Sequence, residues 1–204
     1  MKAQAIRPYH HGNLKEELLA AALTLISKVG PRAFTLREVA RQAKVSHNAP
    51  YRHFRDKDDL LAAIAGDGFH RLAEAMLEAS AQATDALQRL MLSGHGYVQF
   101  ALRYPDHFLV MFDYCDSLES YPEHAEAGDR AFQILLDAVV GAQTAGQLPA
   151  VDPKAVALIA WSQVHGIAKL AIGGHVPFDS EAGVLDFTDF AVRALGVGLM
   201  NLQP

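Results

Sequence analysis

Thr35-Leu36-Arg37-Glu38-Val39-Ala40-Arg41-Gln42-Ala43-Lys44-Val45-Ser46-His47-Asn48-Ala49-Pro50-Tyr51-Arg52-His53-Phe54 is the stretch that decides how this chain folds. Thr35 followed three residues later by Glu38 is a capping box, and Leu36, Val39, Ala40 and Ala43 then form the apolar face of a short helix. A second helix is predicted over 47–54, with Ser46 as its cap and with Pro50 and Phe54, four residues apart, on its inward face. Ala40 is small where the two helices cross and Val45 plugs the turn, which is the layout of a helix-turn-helix. The outward face carries His47, Asn48, Tyr51 and Arg52. Donors, acceptors and an aromatic ring in that arrangement suit base edges and phosphates in a DNA major groove.

The pattern stays helical on both sides. Upstream, Asn13 and Glu16 open a helix in which Leu14, Leu18, Ala21, Ala22, Leu25 and Val29 recur at helical spacing until Gly30-Pro31. Downstream, Asp56 with Asp59 caps a long helix through Leu60, Leu61 and Ile64 to about residue 79. Further helices are predicted over 84–103, 106–112 and 123–145, then from Asp152-Pro153 to Gly173-Gly174, and from Asp179 or Ser180 to about Met200. No strand pair, internal repeat or low-complexity linker interrupts them. The expected fold is all-α, with about nine helices. A three-helix helix-turn-helix domain over residues 1–57 is joined by the long helix to a helical domain over 58–204.

Charge divides at the same place. Residues 1–57 carry 11 Lys or Arg against 4 Asp or Glu, and residues 58–204 carry 7 against 19. A basic head gathers near polyanions and an acidic body is repelled from them, although an uneven solvated surface gives the same count. Cys115 is the only cysteine, so no intrachain disulfide or cysteine-based structural metal site is expected. With no apolar run of membrane-spanning length and no signal-like start, the expectation is a cytoplasmic protein without membrane contact. His10-His11, with His47 and His53, lack carboxylate or thiolate partners at ligand spacing and are read as solvated or DNA-facing. Arg7 reads as part of a frayed terminus or of a minor-groove arm.

The run Thr35-Leu36-Arg37-x-Val39-Ala40-x-x-Ala43-x-Val45-Ser46, then Tyr51-x-His53-Phe54-x-x-Lys57-x-x-Leu60-Leu61, closely resembles the signature of the tetracycline-repressor (TetR) family. Trp161-x-x-x-His165-Gly166 resembles the motif that names the WHG subgroup of the family's C-terminal domains. The first resemblance covers about residues 9–65. It implies that Arg37, His47, Asn48 and Ala49 face bases, and that Tyr51, His53 and Lys57 hold phosphates, with Thr35 doing so from a helix start. Ser46 and Arg52 join these as candidate DNA contacts. The chain departs from the family twice. Lys44 stands where glycine is usual in the turn, at a cost of about 1 kcal/mol, and adds a positive charge facing DNA. Pro50 stands where an aliphatic residue is usual and removes an N–H, predicting a tight or irregular start to the recognition helix.

In the C-terminal part, Trp161 and His165 lie one turn apart on one face, with Gly166 open to a close helix approach. They read either as a pocket wall or as a packed tryptophan with a bonded histidine. Gly94 and Gly96 predict a bend or a close approach. Tyr97, Phe100, Phe108, Met111, Phe112, Tyr114 and Cys115 form either core or, by the resemblance, the lining of an effector cavity. Val156, Ile159, Ala160, Ile167, Leu170, Val184, Phe187, Phe190, Ala191, Ala194, Leu195 and Leu199 give the last two helices more apolar surface than a peripheral hairpin needs. The resemblance assigns that surface to a homodimer interface; otherwise it closes a monomer core.

The expectation is a homodimeric repressor on a palindromic double-stranded operator, released by a small, largely apolar effector and needing no cofactor. The alternative is a helical regulator controlled by a protein partner, which a filled C-terminal core would favour. No nucleophile elbow, phosphate loop or metal-ligand spacing supports an enzyme.

Overall fold

A computed structural model describes residues 14–114 and 121–201. The calls on Arg7, His10, His11, Asn13 and Cys115 lie outside the described residues. Within them the fold is all-α: eight α-helices, one 3-10 turn and no strand.

The head begins with α1 (Leu14–Val29), which buries Leu18, Ala21, Ala22 and Ile26. It ends at Gly30, whose φ of 79° only glycine adopts cheaply. In α2 (Leu36–Gln42) the capping box forms as expected: the Glu38 N–H donates to Thr35 Oγ1 at 3.3 Å, and the Thr35 N–H donates to Glu38 Oε2 at 2.8 Å. This helix ends in a Schellman motif, with the Val45 N–H on the Ala40 carbonyl and the Lys44 N–H on that of Arg41. Lys44 takes the left-handed position, at φ 58°. Two other helix ends use the same geometry at Gly146 and Gly174.

The helix expected over 47–54 does not form as an α-helix. One 3-10 turn, Pro50–Arg52, stands in its place. Pro50 has no N–H to give the Ser46 carbonyl, which instead accepts from the Ala49 N–H at 2.9 Å. The turn starts at Ala49 with no side-chain cap, so the expected Ser46 cap is not made. The irregular winding that Pro50 foretold therefore extends over the whole segment.

Asp56 caps α3 (Lys57–Ser80) by accepting from the Asp59 N–H at 2.8 Å. At 24 residues α3 is about 36 Å long, and it buries Leu60, Leu61 and Ile64 near one end and Phe69, Leu72 and Met76 further along. α4 (Ala86–Arg103), α5 (Pro105–Asp113) and α6 (Pro122–Thr144) pack around it. α7 (Pro153–Ile172) and α8 (Glu181–Met200) lie against α4 and against each other. The close approach predicted at Gly96 is between α3 and α4, since a Cβ there would sit 2.5 Å from the Ala75 carbonyl oxygen. Gly166, by contrast, has nothing within 4 Å. The close helix approach expected at Gly166 is not made among the described residues.

The sequence has no uninterrupted apolar run of membrane-spanning length, as expected, yet one helix comes close to that character. α7 is long and apolar enough by length and composition, with a mean hydropathy of 1.4 and little of that stretch buried. Charged and polar residues interrupt it, so no uninterrupted apolar run appears in the sequence. Its exposed apolar residues, Leu158, Ile159, Leu170 and Ile172, are matched by Phe187, Phe190, Val197 and Met200 on α8.

Candidate functional site

In the head, the inner sides of α1, α2 and the 3-10 turn meet on Leu18, Ile26, Phe34, Leu36, Val39 and Phe54. That packing leaves Thr35, Arg37, Lys44, Ser46, His47, Asn48, Tyr51, Arg52 and His53 exposed, with Tyr51 at 52%. Ala49 is the exception. It is only 4% exposed, and the expected base-facing role is corrected: the tight turn carries Ala49 and Pro50 inward together. Lys57 is half-buried, donates from Nζ to the Arg32 carbonyl at 3.0 Å and lies 5.2 Å from the Phe34 ring centre, so its ammonium is already anchored within the head. The Thr35 hydroxyl also donates to Glu38 Oε2, so a carboxylate already occupies the start of α2. Arg55 is held by both carboxylate oxygens of Asp59 at 3.1 and 3.2 Å, which lowers the Asp59 pKa and pairs this cation within the head although its side chain stays exposed.

A cavity of about 430 Å³ opens in the body between α3, α4, α5, α6 and α7. Tyr97, Met111, Phe112 and Trp161, all named from sequence, line it; Phe100, Phe108, Tyr114 and His165 do not. Phe100 is buried beside Tyr104. Phe108 stacks on His165, and Tyr114 lies under the Arg32 guanidinium of the head. Sequence reasoning did not single out Phe69, Leu72, Met76, Phe132, Leu135 and Leu158, which complete most of the wall. Apolar residues at helical spacing read alike whether they meet a neighbour or an empty space, so the sequence held no signal for them.

The two readings of Trp161 and His165 prove compatible. The Trp161 Nε1–H donates to the Tyr97 oxygen at 3.2 Å, and the Tyr97 hydroxyl lies 2.8 Å from His165 Nδ1. Burial raises the Tyr97 pKa, so the phenol keeps its proton. Burial and, secondarily, the Lys169 charge lower that of His165. A protonated phenol beside a neutral imidazole donates to Nδ1, which places the imidazole proton on Nε2. Trp161 is thus both a packed residue and a cavity wall, and His165 fixes Tyr97 from behind.

On the outer side of α3, His107 Nε2 meets Asp67 Oδ2 at 3.1 Å and Arg71 Nε meets the same oxygen at 2.7 Å. The His107 hydrogen bond, then Arg71, hold the Asp67 carboxyl down to about 2 despite partial burial.

The family model described as "Bacterial regulatory proteins, tetR family" matches residues 18–64, and that described as "Tetracyclin repressor-like, C-terminal domain" matches residues 90–195. The HTH-type transcriptional repressor Rv3405c of Mycobacterium tuberculosis is 34% identical over 98 residues, which are 44% of this chain and 52% of that protein. The chain therefore spans about half the length of the curated relatives it matches. Among solved structures, a protein of unknown function from Rhodococcus sp. RHA1 is 34% identical, with a TM-score of 0.84, covering 96% of this chain and 100% of its own. A bacterial regulatory protein of the tetR family from Rhodococcus RHA1 is 25% identical, with a TM-score of 0.70 and coverage of 89% and 96%. FadR from Bacillus subtilis, solved in complex with stearoyl-CoA, shares the fold at 15% identity, with a TM-score of 0.74 and coverage of 90% and 98%.

Proposed function

The chain belongs to the TetR family of transcriptional regulators, and from that premise we propose that it is a homodimeric, cytoplasmic repressor whose operator affinity is lowered by a small, largely apolar effector. Residues 1–57 serve as the DNA-binding unit and residues 58–204 as the effector and dimerisation unit. His47, Asn48, Tyr51, Arg52 and His53, exposed together on the tight turn, carry the DNA reading, with Arg37 and Lys44 beside them. Two copies related by a two-fold axis read two half-sites, which one short turn cannot replace. The exposed apolar faces of α7 and α8 support self-association, and the membrane-like composition of α7 finds its use there. The cavity favours a small effector over a regulator controlled only by a protein partner, because the C-terminal core is not filled. Part of its wall comes from α3, which starts at the head, so a ligand that shifts α3 changes the head separation, a coupling of about 1–3 kcal/mol.

The test is selection of bound sequences from a random DNA pool at near-physiological salt, repeated with Tyr51→Ala. A palindromic motif, lost in the variant, is the expected result. Weak, salt-sensitive binding without a motif and indifferent to Tyr51 would overturn the reading.

A further inference from the structure

Beside the main cavity lies a second, smaller one of about 40 Å³, lined by residues of α3, α4, α6, α7 and α8. The two share three wall residues, Met76, Tyr97 and Leu135, so they are adjacent chambers divided by side chains. Met76 is unbranched and turns easily, whereas Tyr97 is pinned by Trp161 and His165. The inner walls are almost wholly apolar, and their polar groups are largely committed. The Ser93 hydroxyl donates to the Leu90 carbonyl at 2.7 Å, and the Tyr97 hydroxyl is engaged as described.

Gln163 is the exception. Its Nε2 donates to the Ala191 carbonyl at 3.0 Å, which fixes the orientation of the amide, and its Oε1 is buried without a partner among the described residues. A buried carbonyl acceptor left unpaired costs about 1–3 kcal/mol, so it calls for a donor. A lone water in so apolar a chamber has few of the two to four polar partners it needs.

Resting on the effector reading above, we propose that this chamber is the deep end of the effector site. It takes the hydrogen-bond-donating end, a hydroxyl or amide N–H, of an elongated ligand whose apolar body fills the larger cavity. Gln163 Oε1, which is closed to water in this conformation, accepts that hydrogen bond once Met76 and the neighbouring wall side chains have shifted. The site then selects for length and for a terminal donor, and discriminates against the same chain with its donor capped.

The experiment measures binding of straight-chain 1-alkanols and of their methyl ethers, from six to fourteen carbons, by displacement of 1-anilinonaphthalene-8-sulfonate from the full-length protein. Above a threshold length the alcohols are expected to bind about tenfold more tightly than the ethers, and Gln163→Met to remove that preference. Equal affinity of alcohol and ether in the wild-type protein overturns the proposal whether or not the variant folds, and leaves the effector cavity standing. A preference that survives in Gln163→Met overturns it too, by placing the donor elsewhere. Failure of every probe to bind counts against the effector reading itself and takes this proposal with it.

Discussion

Lys44 holds a conformation that glycine holds more cheaply, and it does so at the edge of the exposed face of the head. The left-handed position costs a lysine about 1–2 kcal/mol, partly offset because glycine gives the unfolded chain more freedom. Lys44→Gly is therefore expected to raise stability by up to about 1 kcal/mol in urea denaturation. If Lys44 faces phosphate, the same change weakens DNA binding and lowers the salt slope by about 1. Both effects together indicate a lysine kept for charge at a cost in stability. His165 gives a second prediction. Its folded pKa lies below the ordinary histidine value of about 6.5, chiefly through burial. The unfolded chain then takes up the proton more readily, so the group's contribution is complete above about pH 6.5 and is lost as pH falls through the folded value. Melting temperatures between pH 7.5 and pH 5 should fall more steeply in the wild-type protein than in His165→Asn, where this titration is absent. Asp67 behaves in the same direction at much lower pH. Held near 2 by His107 and Arg71, it adds stability that is complete above the ordinary carboxylate range and is lost as pH falls from there through about 2.

At the scale of elements, helix ends were legible because caps and breakers act locally. Asp56, Asp152 and Ser180 each accept from a backbone N–H at the start of their helices, and Gly146 and Gly174 close helices in the left-handed region. The segment over 47–54 reads as a helix for the complementary reason. Its inward spacing of four suits an α-helix, but Pro50 removes the one N–H that would carry the first turn, and the backbone tightens instead. Ala49 was turned inward with it, which no residue-by-residue transfer of roles anticipates. The cavity was only half legible, because an empty space arises from what five helices fail to fill together. Close approach was better marked. Gly96 packs against the Ala75 backbone of α3, whereas Gly166 on α7 meets nothing among the described residues. Gly96→Ala should therefore cost about 1–3 kcal/mol by pushing α3 and α4 apart. Gly166→Ala should leave the folded monomer unchanged or stabilise it by up to about 1 kcal/mol through helix propensity. Chemical denaturation of the two variants, measured at one dilute protein concentration, separates a glycine needed for packing from one that is not.

For the whole molecule, the exposed faces of α7 and α8 set the decisive comparison. Phe190 is 64% exposed, and Val197 and Met200 follow on the same helix at about half exposure, which is a poor arrangement for an isolated chain in water. If two copies bury these faces against each other, Phe190→Glu places a charge in the centre of the contact, where it is desolvated and faces its own copy across the two-fold axis. Sedimentation should then show a dimer for the wild-type protein and a monomer for the variant at the same concentration. Helical content should be retained, because Phe190 contributes little to the core of one chain. Operator affinity should fall steeply with the dimer, since each half-site is then read alone. A wild-type protein that sediments as a monomer, or a variant that stays dimeric, would assign the exposed apolar face to some other partner and leave the paired reading of DNA without its geometry.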